Sequence, residues 1–250
     1  MSQTHLPVCQ VLDPGRLTYA QGRELQERIA GEIIAGTRPP TLIVLQHPHT
    51  FTFGRRGQVE HLLWTPAELD HRGVKLEWID RGGDVTYHGP GQLVGYPILP
   101  LGSLDADGRL PQADYTGYLR KLERVLIAAL MRLGIASAQI DGLTGVWIQP
   151  DVASRCRHCP PHARQAPSKI ASIGVKVDSH GITRHGFALN VNPDMEYWNG
   201  IIACGLSDHA ALSLAQVLDP CPPLEEVREA VIRAFGQEFG FHMQTDHPAP

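Results

Sequence analysis

Cys204 and Lys169 are two side chains of this 250-residue sequence whose types suit nucleophilic and proton-transfer chemistry. Cys204 follows the apolar stretch Ile201-Ile202-Ala203 and precedes Gly205 and Ser207-Asp208, residues that can open a helix. A thiol at a helix start has its thiolate favoured by the helix dipole, and backbone N–H groups there can hold an oxyanion. The competing reading is a small buried hydrophobe, the commoner fate of a free cysteine. Lys169 opens the apolar run Ser168-Lys169-Ile170-Ala171-Ser172-Ile173-Gly174. A lysine entering a strand usually snorkels to the surface. If its ammonium instead faces a thiol, it lowers the thiol pKa and can carry protons in turn. Spacing alone leaves both alternatives open.

The densest local signal is the block Arg81-Gly82-Gly83-Asp84-Val85-Thr86-Tyr87-His88-Gly89-Pro90-Gly91-Gln92. A strand ends in a double glycine, and a short strand then carries Thr86 and His88 on one face. Glycines let a backbone approach a ligand and offer its N–H groups, while Arg81 and His88 add polar contacts. The block is not the dinucleotide fingerprint, because proline sits inside its turn and Gly95 comes one place late. A glycine-rich hairpin with a packed histidine fits the same residues. The cluster Cys156-Arg157-His158-Cys159-Pro160-Pro161-His162 offers three zinc-ligand types where tetrahedral zinc wants four. No second ligand pair follows twelve or more residues away, so a solvated loop is the favoured reading and no metal is expected. The segment His185-Gly186-Phe187-Ala188-Leu189-Asn190-Val191-Asn192 reads as a strand with a polar end.

The elements that must position these residues follow from periodicity and punctuation. Val8–Leu12 and Thr41–Gln46 read as strands, and 19–35 places Leu25, Ile29 and Ile33 on one helical face. Thr65-Pro66-Ala67-Glu68 combines an N-cap, a first-turn proline and an acid at N3, so a short helix runs to Arg72. Strands are expected over 74–80, 92–99, 144–149, 169–177 and 182–191, with a turn at Asp178-Ser179-His180-Gly181. The longest helix spans 114–133, and a last helix spans 224–239 after Pro222-Pro223. Strands on both sides of the long helix, interrupted by hairpins, predict an α/β (α+β) fold with a mixed sheet and flanking helices. The whole chain reads as a single catalytic domain folded over about 8–240, with 151–167 a loop insertion and 241–250 a tail.

Composition narrows the function classes. With 42% apolar and 19% charged residues, the chain can bury a core and is not disordered. A net charge of −4 gives no support to nucleic-acid or membrane-surface binding. No basic-then-apolar leader opens the sequence, and no apolar run approaches the roughly 18 residues that span a bilayer. The five cysteines are an odd number, so the chain reads as cytoplasmic with reduced thiols. Lysine is scarce: Lys75, Lys121, Lys169 and Lys176 stand against 18 arginines.

Taken together, the segments resemble the lipoyl(octanoyl) transferase family over about Gln46–Gln216. The likeness is carried by His47-Pro48 through Phe51-Thr52-Phe53-Gly54, by the Arg81–Gln92 block, by Lys169–Gly174, by His185–Asn192 and by Cys204-Gly205. Members move an octanoyl group from octanoyl-acyl carrier protein to the lysine of lipoyl domains, those of 2-oxoacid dehydrogenase complexes and the glycine cleavage H protein. The resemblance implies a fold similar to biotin protein ligases and class II aminoacyl-tRNA synthetases. It implies Cys204 as the acyl-accepting nucleophile, Lys169 as its proton-relaying partner, and no cofactor. It also implies an acyl pocket lined by Arg81, Gly82, Gly83, Asp84, Val85, Thr86, Tyr87 and His88, by Ser172, Ile173 and Gly174, and by Gly186, Phe187 and Ala188. The cysteine-containing segment 151–167 departs from the tight turn of many relatives and lies where a carrier protein would dock. The alternatives are an ATP-dependent lipoate-protein ligase of the same fold, and a non-catalytic zinc or RNA-binding module centred on Cys156–His162.

Overall fold

The computed structural model of the protein describes residues 6–102, 114–203 and 209–245. The strands are β1 (Val8–Leu12), β2 (Thr41–Leu45), β3 (Thr50–Phe53), β4 (Lys75–Trp78), β5 (Val85–His88), β6 (Gln92–Ile98), β7 (Ala138–Ile140), β8 (Leu143–Ile148), β9 (Ser168–Val177), β10 (Thr183–Asn190) and β11 (His242–Thr245). The helices are α1 (Tyr19–Ile34), α2 (Pro66–His71), α3 (Tyr115–Arg132), α4 (Pro150–Arg155) and α5 (Leu224–Phe239). Eight strands form one mixed sheet in the order β11-β1-β2-β6-β10-β9-β8-β7, and three form a second in the order β4-β3-β5.

The large sheet is covered on both faces, so its central strands β2, β6 and β10 are buried at every position rather than alternating. Along β2, Leu42 and Val44 join a cluster with Leu122 and Leu126 of α3 and Val231 and Phe235 of α5. Ile43 and Leu45 point the other way and join Ile29 and Ala30 of α1. The short sheet has its own core, in which Phe51, Phe53, Val85 and Tyr87 pack with Leu69 and Val74. Helix starts follow the expected chemistry. Thr65 and Glu68 make a reciprocal capping box on α2, and the Asp114 side chain caps α3 by accepting from Gly117 N–H.

Two expectations need correction. The end of the chain is not simply a tail: β11 pairs in parallel with β1, from Val8 opposite His242 to Val11 opposite Thr245. Gly240, at φ +72°, ends α5 and turns the chain back to that edge. His242-Met243-Gln244-Thr245 shows no hydrophobic alternation because the strand is held by backbone hydrogen bonds at a solvated edge. The segment 151–167 is likewise not only loop. It contains most of α4 and a 3-10 turn at Pro161–Arg164, and it sends Ala153, Cys159 and Ala163 into the main core. No helix among the described residues is long and apolar enough to cross a membrane.

Candidate active site

The glycine-rich block is held by its arginine. Arg81 is buried, and its Nη2 donates to the Thr52 carbonyl at 2.6 Å and to Thr52 Oγ1 at 2.9 Å. Its Nη1 donates to the carbonyl of Gly82 at 3.0 Å, and the Gly82 N–H donates to Val175 O on β9. The double glycine therefore bridges the small sheet to the large one. Gly83 takes φ +90°, a conformation that suits glycine. Asp84 accepts from Val85 N–H at 2.7 Å and pairs with His61, so its carboxylate braces the 55–61 loop.

Strand alternation then splits the block. Thr86 and His88 face an apolar cavity of about 50 Å³ that Arg81, Gly82 and Gly83 also line. Val85 and Tyr87 do not line it: they turn into the core of the small sheet, where Tyr87 stacks on Tyr197. These two residues of the implied pocket set therefore lie off this cavity, because successive residues of a strand point to opposite faces. Asp84 lies outside this cavity too, and lines a neighbouring cleft instead. Ser172, Ile173 and Gly174 of β9 and Gly186, Phe187 and Ala188 of β10 complete the wall. Gly186 pairs with Gly174 across the hairpin. A side chain at 186 would meet the Gly95 carbonyl at 2.1 Å, so only glycine fits there.

The cavity is also lined by residues that the sequence did not single out as a site. Tyr19 and Tyr96 line it beside His88 and His185. Tyr19 Oη lies 3.2 Å from His185 Nδ1, and His185 Nε2 donates to Asp80 Oδ1 at 2.9 Å. His47 donates from Nδ1 to the Leu17 carbonyl at 2.7 Å and accepts at Nε2 from Tyr96 O–H at 2.7 Å. Burial holds His47 neutral, bringing its pKa down to about 4 against the pull of the Leu17 carbonyl. Burial pushes His88 well below its ordinary value, and the nearby Arg81 guanidinium adds to it. His185 is lowered by burial in spite of Asp80. Tyr19 could not be read from sequence, because a helix's first residue carries no signal for what its ring faces.

The neighbouring cleft, about 700 Å³, is lined by Lys169, Arg56, His61, Asp84 and Thr144 among others. Gly82, Gly83, Ile173 and Gly174 line both spaces, so the apolar cavity and the lysine-bearing cleft adjoin across them. Lys169 is 9% exposed, and its Nζ lies over the Trp147 ring at 4.6 Å from the centroid. Its backbone is pinned on both edges. Lys169 pairs with Trp147 on β8, its N–H donates to Ala210 O, and its carbonyl accepts from Leu212 N–H.

Cys204 and the expected helix start at Ser207-Asp208 lie outside the described residues. The chain entering this stretch is tied to the small sheet, where Ile202 N–H donates to His61 O and Ala203 packs on its core. The chain leaving it is tied to the strand of Lys169.

The other cysteines are packing groups. Cys9 is fully buried, which raises its thiol to about 12. Burial, followed by Cys156, raises Cys159 to about 12 as well. The Cys159 N–H donates to Cys156 Sγ at 3.0 Å, and His158 turns away toward Asp219. Among the described residues, no three His, Cys, Asp or Glu side chains gather as a metal site.

A mixed sheet with a lysine-lined cleft beside an apolar cavity is the layout of this α/β domain. Residues 18–236 match the lipoyl protein ligase A/B catalytic domain, and the chain belongs to that family. It is 41% identical to an octanoyltransferase of Chloroflexus aggregans over 219 residues, 87% of this chain and 89% of that one. It is 40% identical to an octanoyltransferase of Acidobacterium capsulatum over 235 residues, 93% of this chain and 91% of that one. Its fold is similar to that of a bipartite lipoate protein ligase from Thermoplasma acidophilum, with a TM-score of 0.65 at 18% identity, covering 98% and 88% of the two chains.

Proposed function

We propose that this protein is a cytoplasmic octanoyltransferase. It moves an octanoyl group from octanoyl-acyl carrier protein, through a thioester on Cys204, to the lysine of lipoyl domains of 2-oxoacid dehydrogenase complexes and the glycine cleavage H protein. The observation that carries this reading is the contiguity of the apolar cavity with the cleft of Lys169, across Gly82-Gly83 and Ile173-Gly174. An acyl chain enters the cavity by widening its 50 Å³, and its carbonyl then lies at the partition, within the cleft where a lysine can exchange protons.

In the first half-reaction the Cys204 thiolate attacks the donor's thioester carbon. The resulting oxyanion collapses, expelling the carrier thiolate, which takes up the proton that Cys204 lost. One thioester replaces another, so the step is near balance and needs an activated thiol rather than ATP. In the second, the acceptor's lysine amine attacks the Cys204 thioester, an amide forms, and the Cys204 thiolate leaves. The proton lost by the amine returns through Lys169. Backbone N–H groups near Gly205 and the Arg81–Gly83 turn serve as the oxyanion donors. Each buried methylene of the acyl chain contributes about 0.8 kcal/mol to binding in the cavity.

The test is intact-mass analysis after mixing with octanoyl-carrier protein, with and without a lipoyl domain. One octanoyl group is expected on the enzyme alone, and its transfer to the lipoyl domain when that is added. A normal adduct on Cys204→Ala refutes the assignment of the nucleophile. Incorporation of free octanoate that depends on ATP refutes the transferase in favour of a ligase.

A further inference from the structure

We propose that Trp147, Gly145 and Glu123 are positioning residues that aim the Lys169 ammonium into the cleft. This rests on the reading of Lys169 as the proton-relaying partner of Cys204.

The arrangement starts at a buried carboxylate. Glu123 of α3 is fully buried, an unusual place for an acid, and both of its oxygens are engaged. Oε2 accepts from Arg120 Nη1 at 2.7 Å, and Oε1 accepts from the Gly145 N–H at 2.8 Å. Gly145 is thereby fixed at φ +126°, in a backbone region that side-chain-bearing residues rarely adopt. Its missing side chain is also spatial. A Cβ there would lie 2.7 Å from the Ala171 carbonyl, 3.2 Å from Lys169 Cε and 3.5 Å from Cδ, so the glycine lets β8 approach β9 and also leaves room for the lysine stem.

Two residues further along β8, the pairing with β9 shifts register between Val146 and Trp147. The shift brings Trp147 opposite Lys169, with the ammonium over the indole face at 4.6 Å. Trp147 is fully buried, and the His209 ring packs against it in a T-shaped arrangement at 5.1 Å between ring centroids. A rigid aromatic face and a rigid backbone channel fix both ends of an otherwise flexible side chain. A lysine freed of them would sample many rotamers, few directed at the reacting thiol.

The test replaces Trp147 alone with tryptophans bearing one, two or three ring fluorines, by site-directed incorporation into the full chain. Fluorination drains the ring's negative face and barely changes its shape. The octanoylation rate constant of the enzyme should fall stepwise with each fluorine, by about tenfold across the series, the span of a desolvated cation–π contact. The donor KM and the thermal midpoint should stay constant, which a purely structural role of the ring does not predict for the rate. In Lys169→Ala the same series should be flat. A flat series in the otherwise wild-type enzyme, with Lys169→Ala slow, overturns the positioning role and leaves the catalytic lysine standing. Lys169→Ala acylating at the wild-type rate overturns both.

Discussion

Gly174 of β9 and Arg81 pack directly against each other: a Cβ built on Gly174 would lie 2.9 Å from Arg81 Cδ and 3.2 Å from the Gly82 carbonyl. The arginine has little room to yield, because its guanidinium is tied to Thr52 and to Gly82. The contact joins the two sheets at the wall shared by the apolar cavity and the cleft.

Gly174→Ala therefore overpacks that wall. The displacement of Arg81 should cost about 1–3 kcal/mol, the usual penalty for an added methyl in a filled site. Octanoylation of the enzyme, followed by intact mass, should slow by about tenfold or more, while the fold, read by circular dichroism, is retained. An unchanged rate would mean that the wall moves freely.

The buried histidines contribute to the acid stability. His47 has a folded pKa near 4 against an ordinary 6.5, so the unfolded chain binds more protons between these values. Its contribution is complete above pH 6.5 and is lost as the pH falls toward 4. His88 and His185, also lowered by burial, act in the same direction. The urea unfolding free energy should rise with pH across this window, by up to about 1.4 kcal/mol per pH unit for each histidine. His47→Gln should flatten the slope.

Glu123 offers a stability readout of the same arrangement. Glu123→Ala leaves the buried Gly145 N–H without its acceptor and should destabilise the fold by about 1–3 kcal/mol. Glu123→Gln keeps an acceptor oxygen and should recover part of that loss. Amide hydrogen exchange at Gly145 reads the bond itself: protection should fall in Glu123→Ala.

Deleting 242–250 removes β11 and strips the edge of β1 of its partner. It also removes Met243, against which Gly236 of α5 packs closely. The shortened chain should melt several degrees lower and aggregate more readily, since an uncovered strand edge pairs with other chains. Light scattering during a thermal ramp follows both effects, and a wild-type melting curve would show β11 to be dispensable.

Local chemistry made much of this architecture legible in the residues. The bounds of β1 and α5, the capped start of α2 and the Asp178–Gly181 turn follow from periodicity and punctuation acting over a few neighbours. The four-residue β3 and three-residue β7 carry too few positions for a period to register, and they are strands only because partners lie beside them. The edge strand β11 has backbone pairing but no apolar pattern.

For the candidate site, the sequence determined the parts: a glycine-rich block with Arg81 and His88, a scarce lysine at a strand start, and a motif order shared with one family. Only the tertiary structure decided which parts meet. It put Thr86 and His88 on the cavity while turning Val85 and Tyr87 into the small core, and brought in Tyr19 from α1. It also set Lys169 on Trp147, with Gly145 beneath its stem and Glu123 behind Gly145. The physical reason is range. Capping, turns and periodicity are settled within about one helical turn of sequence. Trp147 meets Lys169, and Glu123 meets Gly145, across twenty-two positions of sequence in each case, and the register that places one ring under one ammonium exists only once those elements have packed.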